Sequence, residues 1–340
     1  MKGAPPQGLA TWWAEMARRA VPVNVRIELT SNCNLRCGFC YKHRSGNANA
    51  LSLSAWGEVL GDLRTLGALS VAFTGGEPLL YPQAIELMRL ARGMGYAVHL
   101  LTNGTLLGND EADDLAEIYP ASVEISLHGA SAPVHDAATG VSGSFDAAMA
   151  ACARLRERRV KLVLKTPLTL DSEPELEAIG ELARDWGVPW RLSSEILPAE
   201  DGHREALVHS ASAATIQHLA QVMPVITAAP AASGQACGVG RTTVAIDPEG
   251  NVFPCLRWRH SSMGNLRFTS IAEIWRNSAL RIEAAEAANA ASAWLAGDGR
   301  GTPGAQFCPA LAIRYAGSVC ARYPSFALWE QILGEPKGND

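Results

Sequence analysis

The chain carries no excess of positive charge. Across 340 residues, 29 lysines and arginines stand against 34 aspartates and glutamates, a formal net charge of −5. Such a surface has no strong positive field for holding a nucleic acid or an anionic membrane, so neither is expected as a partner. Long hydrophobic runs are missing too. No segment approaches the roughly 20 apolar residues that a spanning helix needs, and residues 1–24 contain no apolar stretch of the kind that marks a secretory signal. The expected compartment is the cytoplasm. The eight histidines include no HExxH pair. Cysteines number only eight, too few and too unevenly placed for a disulfide-dense scaffold. What is present is a 48% hydrophobic composition, which excludes intrinsic disorder and supplies one large core or two smaller ones.

Strands are expected at 25–31, 70–74, 97–102, 122–127, 160–166 and 188–193. Helices are expected between them: Ser54 capping one to Leu66, Pro82 opening one to Gly93, another at 110–118, Ser144 capping one to Arg158, and a last at 173–186. Alternation of this kind means βα units and a parallel sheet. It does not separate an open doubly wound sheet from a partial barrel, but either places ligands at the carboxyl ends of the strands. Beyond residue 195 the pattern changes. A helix is expected at 212–222, then a small-residue stretch at 228–234. A β-hairpin of 242–246 and 251–253 follows around DPEG, then a helix from Ser270 to Asn289 and a flexible loop at 296–304.

The cysteines fall into groups. Cys33, Cys37 and Cys40 form a C-x3-C-x2-C loop just past the first strand. A four-iron cubane normally takes four thiolates, so three leave one iron open to an outside ligand. Zinc is the alternative, with His43 as the fourth ligand that a structural site requires. ELTSNCNLRCGFCY (28–41) resembles the CxxxCxxC loop of radical S-adenosylmethionine enzymes. In that family the open iron of the 4Fe–4S cluster chelates S-adenosylmethionine. One electron then cleaves the sulfonium to a 5′-deoxyadenosyl radical, which takes a hydrogen atom from substrate. The resemblance places Phe39 beside the adenine. It also makes TGGEP (74–78) the segment that meets the methionyl amino group, through Gly75, Gly76, Glu77 and Pro78. On its own chemistry, Glu77 can accept a hydrogen bond from an ammonium, and glycines allow close backbone approach. EISLHG (124–129) is similar to the family's fourth-strand segment, with Ser126 facing the ribose or carboxylate, and Asn103 of LTNGT is a second polar group at that edge. Lys165, Arg191 and Glu195 lie at later strand ends. His128 is expected as a surface residue near the same edge. No catalytic acid or base is singled out.

Cys237 and Cys255 bracket the hairpin, and Cys308 and Cys320 follow. Four thiolates suffice for one fully ligated 4Fe–4S cluster, with zinc again the alternative. Cys237-x12-Gly250-x4-Cys255 and MGNLRFTSIAEIWRNS (263–278) resemble the SPASM/Twitch extension of the same family. The dense cysteine run of a full SPASM domain is missing, so the resemblance implies one auxiliary 4Fe–4S cluster. It also implies this organisation: an N-terminal extension (1–23), a radical SAM partial (β/α)6 barrel (24–195), a linker and helix (196–236), a SPASM/Twitch-like domain (237–325) and a tail (326–340). Cys152, among small residues, is expected to pack in the interior. Trp12 and Trp13 are expected to cover the core.

The function implied is reductive cleavage of S-adenosylmethionine and hydrogen abstraction, in maturation of a ribosomally synthesised peptide by cross-linking, epimerisation or oxidation. Tailoring of a sugar or aminoglycoside is the alternative, and a non-catalytic zinc or iron–sulfur binding protein is the rival of another class. Implied partners are a peptide or small-molecule substrate and an electron donor such as flavodoxin or ferredoxin. With about 24 residues before the first strand, a peptide substrate calls for a separate recognition protein or direct leader binding.

Overall fold

The structure is a computed structural model that describes residues 7–42, 50–193, 195–200, 202–222, 237–297, 307–327 and 330. His43, the stretch at 228–234, nearly all of the loop at 296–304 and most of the tail at 326–340 lie outside the described residues. By contacts the chain divides into two units. One comprises Asn24–Ser212 with Ile246–Asn251, the other Met1–Val23, Ala213–Ala245 and Val252–Asp340.

The chain opens with helix α1 (Gln7–Arg18), on which Trp12 and Trp13 are half-buried and meet edge to face at 5.0 Å. The first-named unit is then built on six parallel strands: β1 (Asn24–Glu28), β2 (Ser70–Thr74), β3 (Ala97–Thr102), β4 (Ser122–Ser126), β5 (Leu162–Pro167) and β6 (Trp190–Ser193). Their spatial order β6-β5-β4-β3-β2-β1 follows the sequence, and each neighbouring pair is parallel. This is an open, partial (β/α)6 barrel. The crossovers are made by α2 (Leu53–Thr65), α3 (Ala84–Gly93), α4 (Asn109–Ile118), the pair α5 (Ala132–Thr139) and α6 (Ser144–Glu157), and α7 (Leu176–Trp186). Central strands of a parallel sheet are covered on both faces. Accordingly Ile27, Phe73, Leu100 and Ile125 on the strands are fully buried, as are Trp56, Leu60, Leu63, Leu87 and Met88 on the helices.

Several local boundaries differ from the sequence reading for identifiable reasons. Ser52, not Ser54, caps α2, its hydroxyl accepting from the Ala55 N–H. Pro78 opens a 3-10 turn to Leu80, and α3 starts only at Ala84. Ser144 is the first residue of α6. Gly143 occupies the cap with φ 79°, and the Ser144 hydroxyl turns to Asp136 and Thr139. Helix α5 had no counterpart in the sequence reading.

The second-named unit includes α8 (Ala213–Val222). Next come strands β7 (Thr243–Ile246) and β8 (Asn251–Phe253), joined by a hairpin turn, and a short β9 (Gly264–Asn265). The turn is closed by Asp247, whose carboxylate accepts from the backbone and the side chain of Asn251, each at 2.8 Å. The helix expected from Ser270 to Asn289 is two: α9 (Ile271–Asn277) and α10 (Ala279–Ala296). Ser278 ends the first and caps the second, its hydroxyl accepting from the Arg281 N–H. Helix α11 (Pro309–Ala316) starts directly after Cys308. Among the described residues no helix is long and apolar enough to cross a membrane.

Leu100 is fully buried at the centre of the sheet, whereas Val208 is 71% exposed. Leu100→Ala should therefore cost about 2–5 kcal/mol of stability and Val208→Ala no more than about 0.5 kcal/mol, read from urea unfolding followed by circular dichroism. Equal effects would contradict the placement of this core.

Candidate functional site

The carboxyl ends of β1, β2 and β3 meet through their loops. Pairing of the first two strands continues past their formal ends. Leu29 N–H donates to Thr74 O at 2.9 Å, Gly76 N–H to Thr30 O at 2.7 Å, and Glu77 N–H to Asn32 O at 2.7 Å. The TGGEP turn thus lies directly against the residues that lead into Cys33. This contact requires the two glycines. A Cβ on Gly75, where φ is 145°, would stand 2.4 Å from Thr30 O, and one on Gly76 2.1 Å from Asn32 O. Their small size serves approach to the cysteine loop itself.

Glu77 is wholly buried. Its carboxylate accepts from Thr102 Oγ1 at 2.6 Å, the Asn103 N–H at 2.8 Å and the Leu79 N–H at 3.1 Å. Burial raises its pKa to about 7, and the three hydrogen bonds oppose that rise. Asn103 carries the connection onward. Its amide donates to Asn34 Oδ1 at 2.9 Å and reaches Cys33 Sγ at 3.8 Å, while its Oδ1 accepts from Thr105 N and Oγ1. Cys33 Sγ also receives the Leu35 N–H at 3.4 Å. Cys33 Sγ thus lies within reach of two N–H donors.

The rest of the loop is held from other elements. Arg36 N–H donates to Thr139 O at 2.7 Å, so the end of α5 supports the segment between Cys33 and Cys37. Lys42, just past Cys40, is buried between Glu28 at 2.9 Å and Glu200 at 3.0 Å. Gly38 leaves room for His209, since a Cβ there would lie 2.6 Å from His209 Nε2, and His209 Nδ1 is 3.0 Å from Asp171 Oδ2. Phe39 packs between His128, with ring centroids 5.1 Å apart, and His209 at 6.4 Å. His128 is buried, not at the surface, and desolvation lowers its pKa to about 3. Ser126 ends β4 in register with Lys165. Arg191 pairs with Glu124. Of these supports, Thr102, Lys42, Glu28 and His209 were not singled out from the sequence. Only Thr102, adjacent to Asn103, carried a local signal.

In the other unit, Cys237, Cys255 and Cys308 pack against one buried cluster of Val239, Trp258, Ala284, Ala288 and Ala310. Burial pushes the Cys237 thiol up to about 11 and the Cys255 thiol to about 12. A bound metal reverses this cost, because a coordinating thiol is deprotonated outright. Cys320 is not part of that cluster. It follows the left-handed Gly317 and its N–H donates to Ser318 Oγ. Among the described residues no three His, Cys, Asp or Glu side chains stand together as a single-ion centre. The convergence is one of loops and core packing.

The Glu77 proton gives a pH test. Its pKa rises on folding from the 4.5 of a free carboxyl to about 7. The native state therefore holds the extra proton in that window, and the contribution of Glu77 to stability falls as pH rises through it. His128 and His135, held neutral by burial, act with the opposite sign. The clean measurement is the difference between wild type and Glu77→Gln in urea unfolding. Wild type should lose about 3 kcal/mol relative to the variant between pH 4.5 and 7, and a difference constant with pH would contradict the burial.

Comparison with known proteins agrees with this geometry. Residues 27–183 match the radical SAM superfamily and residues 237–292 the iron–sulfur cluster-binding SPASM domain. The PqqA peptide cyclase of Rhodopseudomonas palustris is 30% identical over 285 residues, covering 76% of this chain and 74% of that protein. The AdoMet-dependent heme synthase of Oleidesulfovibrio alaskensis is 27% identical over 286 residues, with 74% of each covered. Among solved structures, Streptococcus suis SuiB bound to S-adenosylmethionine shares the fold with a TM-score of 0.62 at 18% identity, over 81% of this chain and 71% of that one. The chain therefore belongs to the radical S-adenosylmethionine superfamily and is an enzyme of it, with a SPASM domain toward its C-terminal side.

Proposed function

We propose that the protein modifies a ribosomally synthesised peptide by hydrogen-atom abstraction. The observation that carries the peptide reading is the 30% identity to a PqqA peptide cyclase across three quarters of the chain. In this reading Cys33, Cys37 and Cys40 hold a 4Fe–4S cluster, and Cys237, Cys255, Cys308 and Cys320 hold one auxiliary 4Fe–4S cluster. Held by these cysteines, a 4Fe–4S cluster with S-adenosylmethionine would supply hydrogen-abstracting radical chemistry, given one electron from a donor such as flavodoxin or ferredoxin. The donor set supports this assignment: three thiols on one short loop, one of them already receiving two N–H groups.

The protein's own residues supply orientation. Glu77, with its carboxylate engaged by three internal donors, braces the turn, and contact with the cofactor's amino group falls to the backbone of Gly75, Gly76 and Pro78. Asn103 fixes Cys33, and Phe39 offers an aromatic face backed by His128. Ser126, at the end of β4, supplies a hydroxyl for the ribose or carboxylate. A second substrate class, a tetrapyrrole, is favoured by the 27% identity to a heme synthase.

Anaerobic reconstitution tests the reading. About eight irons per chain are expected, with dithionite-dependent release of 5′-deoxyadenosine that Cys33→Ala abolishes. Deuterium should pass into 5′-deoxyadenosine from a labelled precursor peptide, and not from a tetrapyrrole or a sugar. Zinc in place of iron with no nucleoside product would overturn the enzyme, and transfer from a tetrapyrrole would overturn the peptide.

A further inference from the structure

Buried donors without a hydrogen-bond partner occur among the described residues of the SPASM unit, and the Trp258 indole is one of them. Trp258 is completely buried, and its indole Nε1 has no hydrogen-bond partner among the described residues. A buried polar hydrogen left unpaired is costly, and such groups in native proteins usually meet an acceptor. Trp258 belongs to the cluster on which Cys237, Cys255 and Cys308 pack. The other buried members, Val239, Ala284, Ala288 and Ala310, have hydrocarbon side chains, as do Ala287 and Ile313 packed beside them. Three cysteine sulfurs, which can accept a hydrogen bond, pack against this same cluster. The ring is also held in place. Trp258 N–H donates to Cys255 O at 3.2 Å, and the indole packs on His260 with centroids 5.1 Å apart.

We infer that the Trp258 indole N–H donates a hydrogen bond to a sulfur of the auxiliary cluster and raises that cluster's reduction potential. The inference rests on the proposed auxiliary 4Fe–4S cluster at these cysteines. The couple is a one-electron change from the 2+ to the 1+ state, with no bond made or broken. The reduced state carries more negative charge on its sulfurs, so a donor stabilises it more than the oxidised state, and hydrogen bonds to sulfur are among the factors that set such potentials. Arg241 and Arg257 also place positive charge near Cys237, so the contribution of the indole must be read by removing it alone.

The experiment uses the full chain with Cys33, Cys37 and Cys40 changed to alanine, so that only the auxiliary cluster assembles, at about four irons per chain. The potential is read by titration with dithionite followed by electron paramagnetic resonance. Trp258→Phe keeps most of the ring volume and should make reduction about tenfold harder, a shift of about 59 mV to more negative potential. Trp56→Phe is the control: it removes an equally buried, unmatched indole from α2 in the other unit and should leave the potential unchanged. A second measurement needs no variant. Labelling the nine tryptophans with nitrogen-15 should reveal one indole nitrogen coupled to the reduced cluster. Full iron with an unshifted potential in Trp258→Phe, or no nitrogen coupling, overturns the inference. A triple variant that assembles no cluster overturns the auxiliary assignment, and the inference with it.

Discussion

The buried carboxylate of Glu77 ties three strand ends together. Its own chain is the end of β2, its N–H reaches Asn32 on the way out of β1, and its oxygens take Thr102 and Asn103 at the end of β3. An unmatched carboxylate in this position would be prohibitive, and three converging donors offset part of the desolvation, the rest showing as the raised pKa. From there the connection is short. Asn32 precedes Cys33, and Asn103 reaches both Asn34 and the Cys33 sulfur. The loop that presents three thiols is thus seated on an internal polar bracket, and the bracket closes only because Gly75 and Gly76 have no side chains to keep the backbones apart.

The two cysteine sets are held by different physics. The first is exposed to half-buried, set in hydrogen bonds, and buttressed by ion pairs such as Lys42 with Glu28 and Glu200. Of the second, Cys237, Cys255 and Cys308 gather on an apolar cluster whose cost to a thiolate is visible in the raised Cys237 and Cys255 values. In the proposed reading the polar seat holds the centre that meets S-adenosylmethionine and the apolar seat holds the auxiliary one. The eighth cysteine belongs to neither set. Cys152 is wholly buried on α6, and burial pushes its thiol to about 12, which makes it a packing residue.

Much of this was legible in the residues. Five of the six strands carry β-branched residues between helical segments, whereas β6 (WRLS) has none, and the spacing of Cys33, Cys37 and Cys40 after the first strand carried the resemblance to the family the chain belongs to. What escaped is long-range or locally weak. Helix α5 spans only eight residues, with proline near its start and threonine at its end, so its helical periodicity is too brief to read, yet its last carbonyl supports Arg36. His128 looked like a surface residue because a strand end is normally exposed. Helix α5 covers it, placing His135 against its ring. The break at Ser278 was hidden because serine is tolerated inside helices, and only its hydroxyl bond to Arg281 N marks it as a cap. Glu77 was read as a partner for an ammonium. Its three internal donors come from residues far along the chain or at a turn whose geometry no spacing rule encodes.

The measurement that bears most directly on this account is the iron content and reduced-state electron paramagnetic resonance of Gly76→Ala, in a chain whose Cys237, Cys255 and Cys308 are alanine. A Cβ at Gly76 would fall 2.1 Å from Asn32 O, whereas one at Gly93, at the end of α3, meets nothing within 4 Å. If the turn seats the cysteine loop, Gly76→Ala loses the cluster signal and most of its iron while its circular dichroism stays that of the parent, and Gly93→Ala keeps both. Full iron and an unaltered signal in Gly76→Ala would contradict the account.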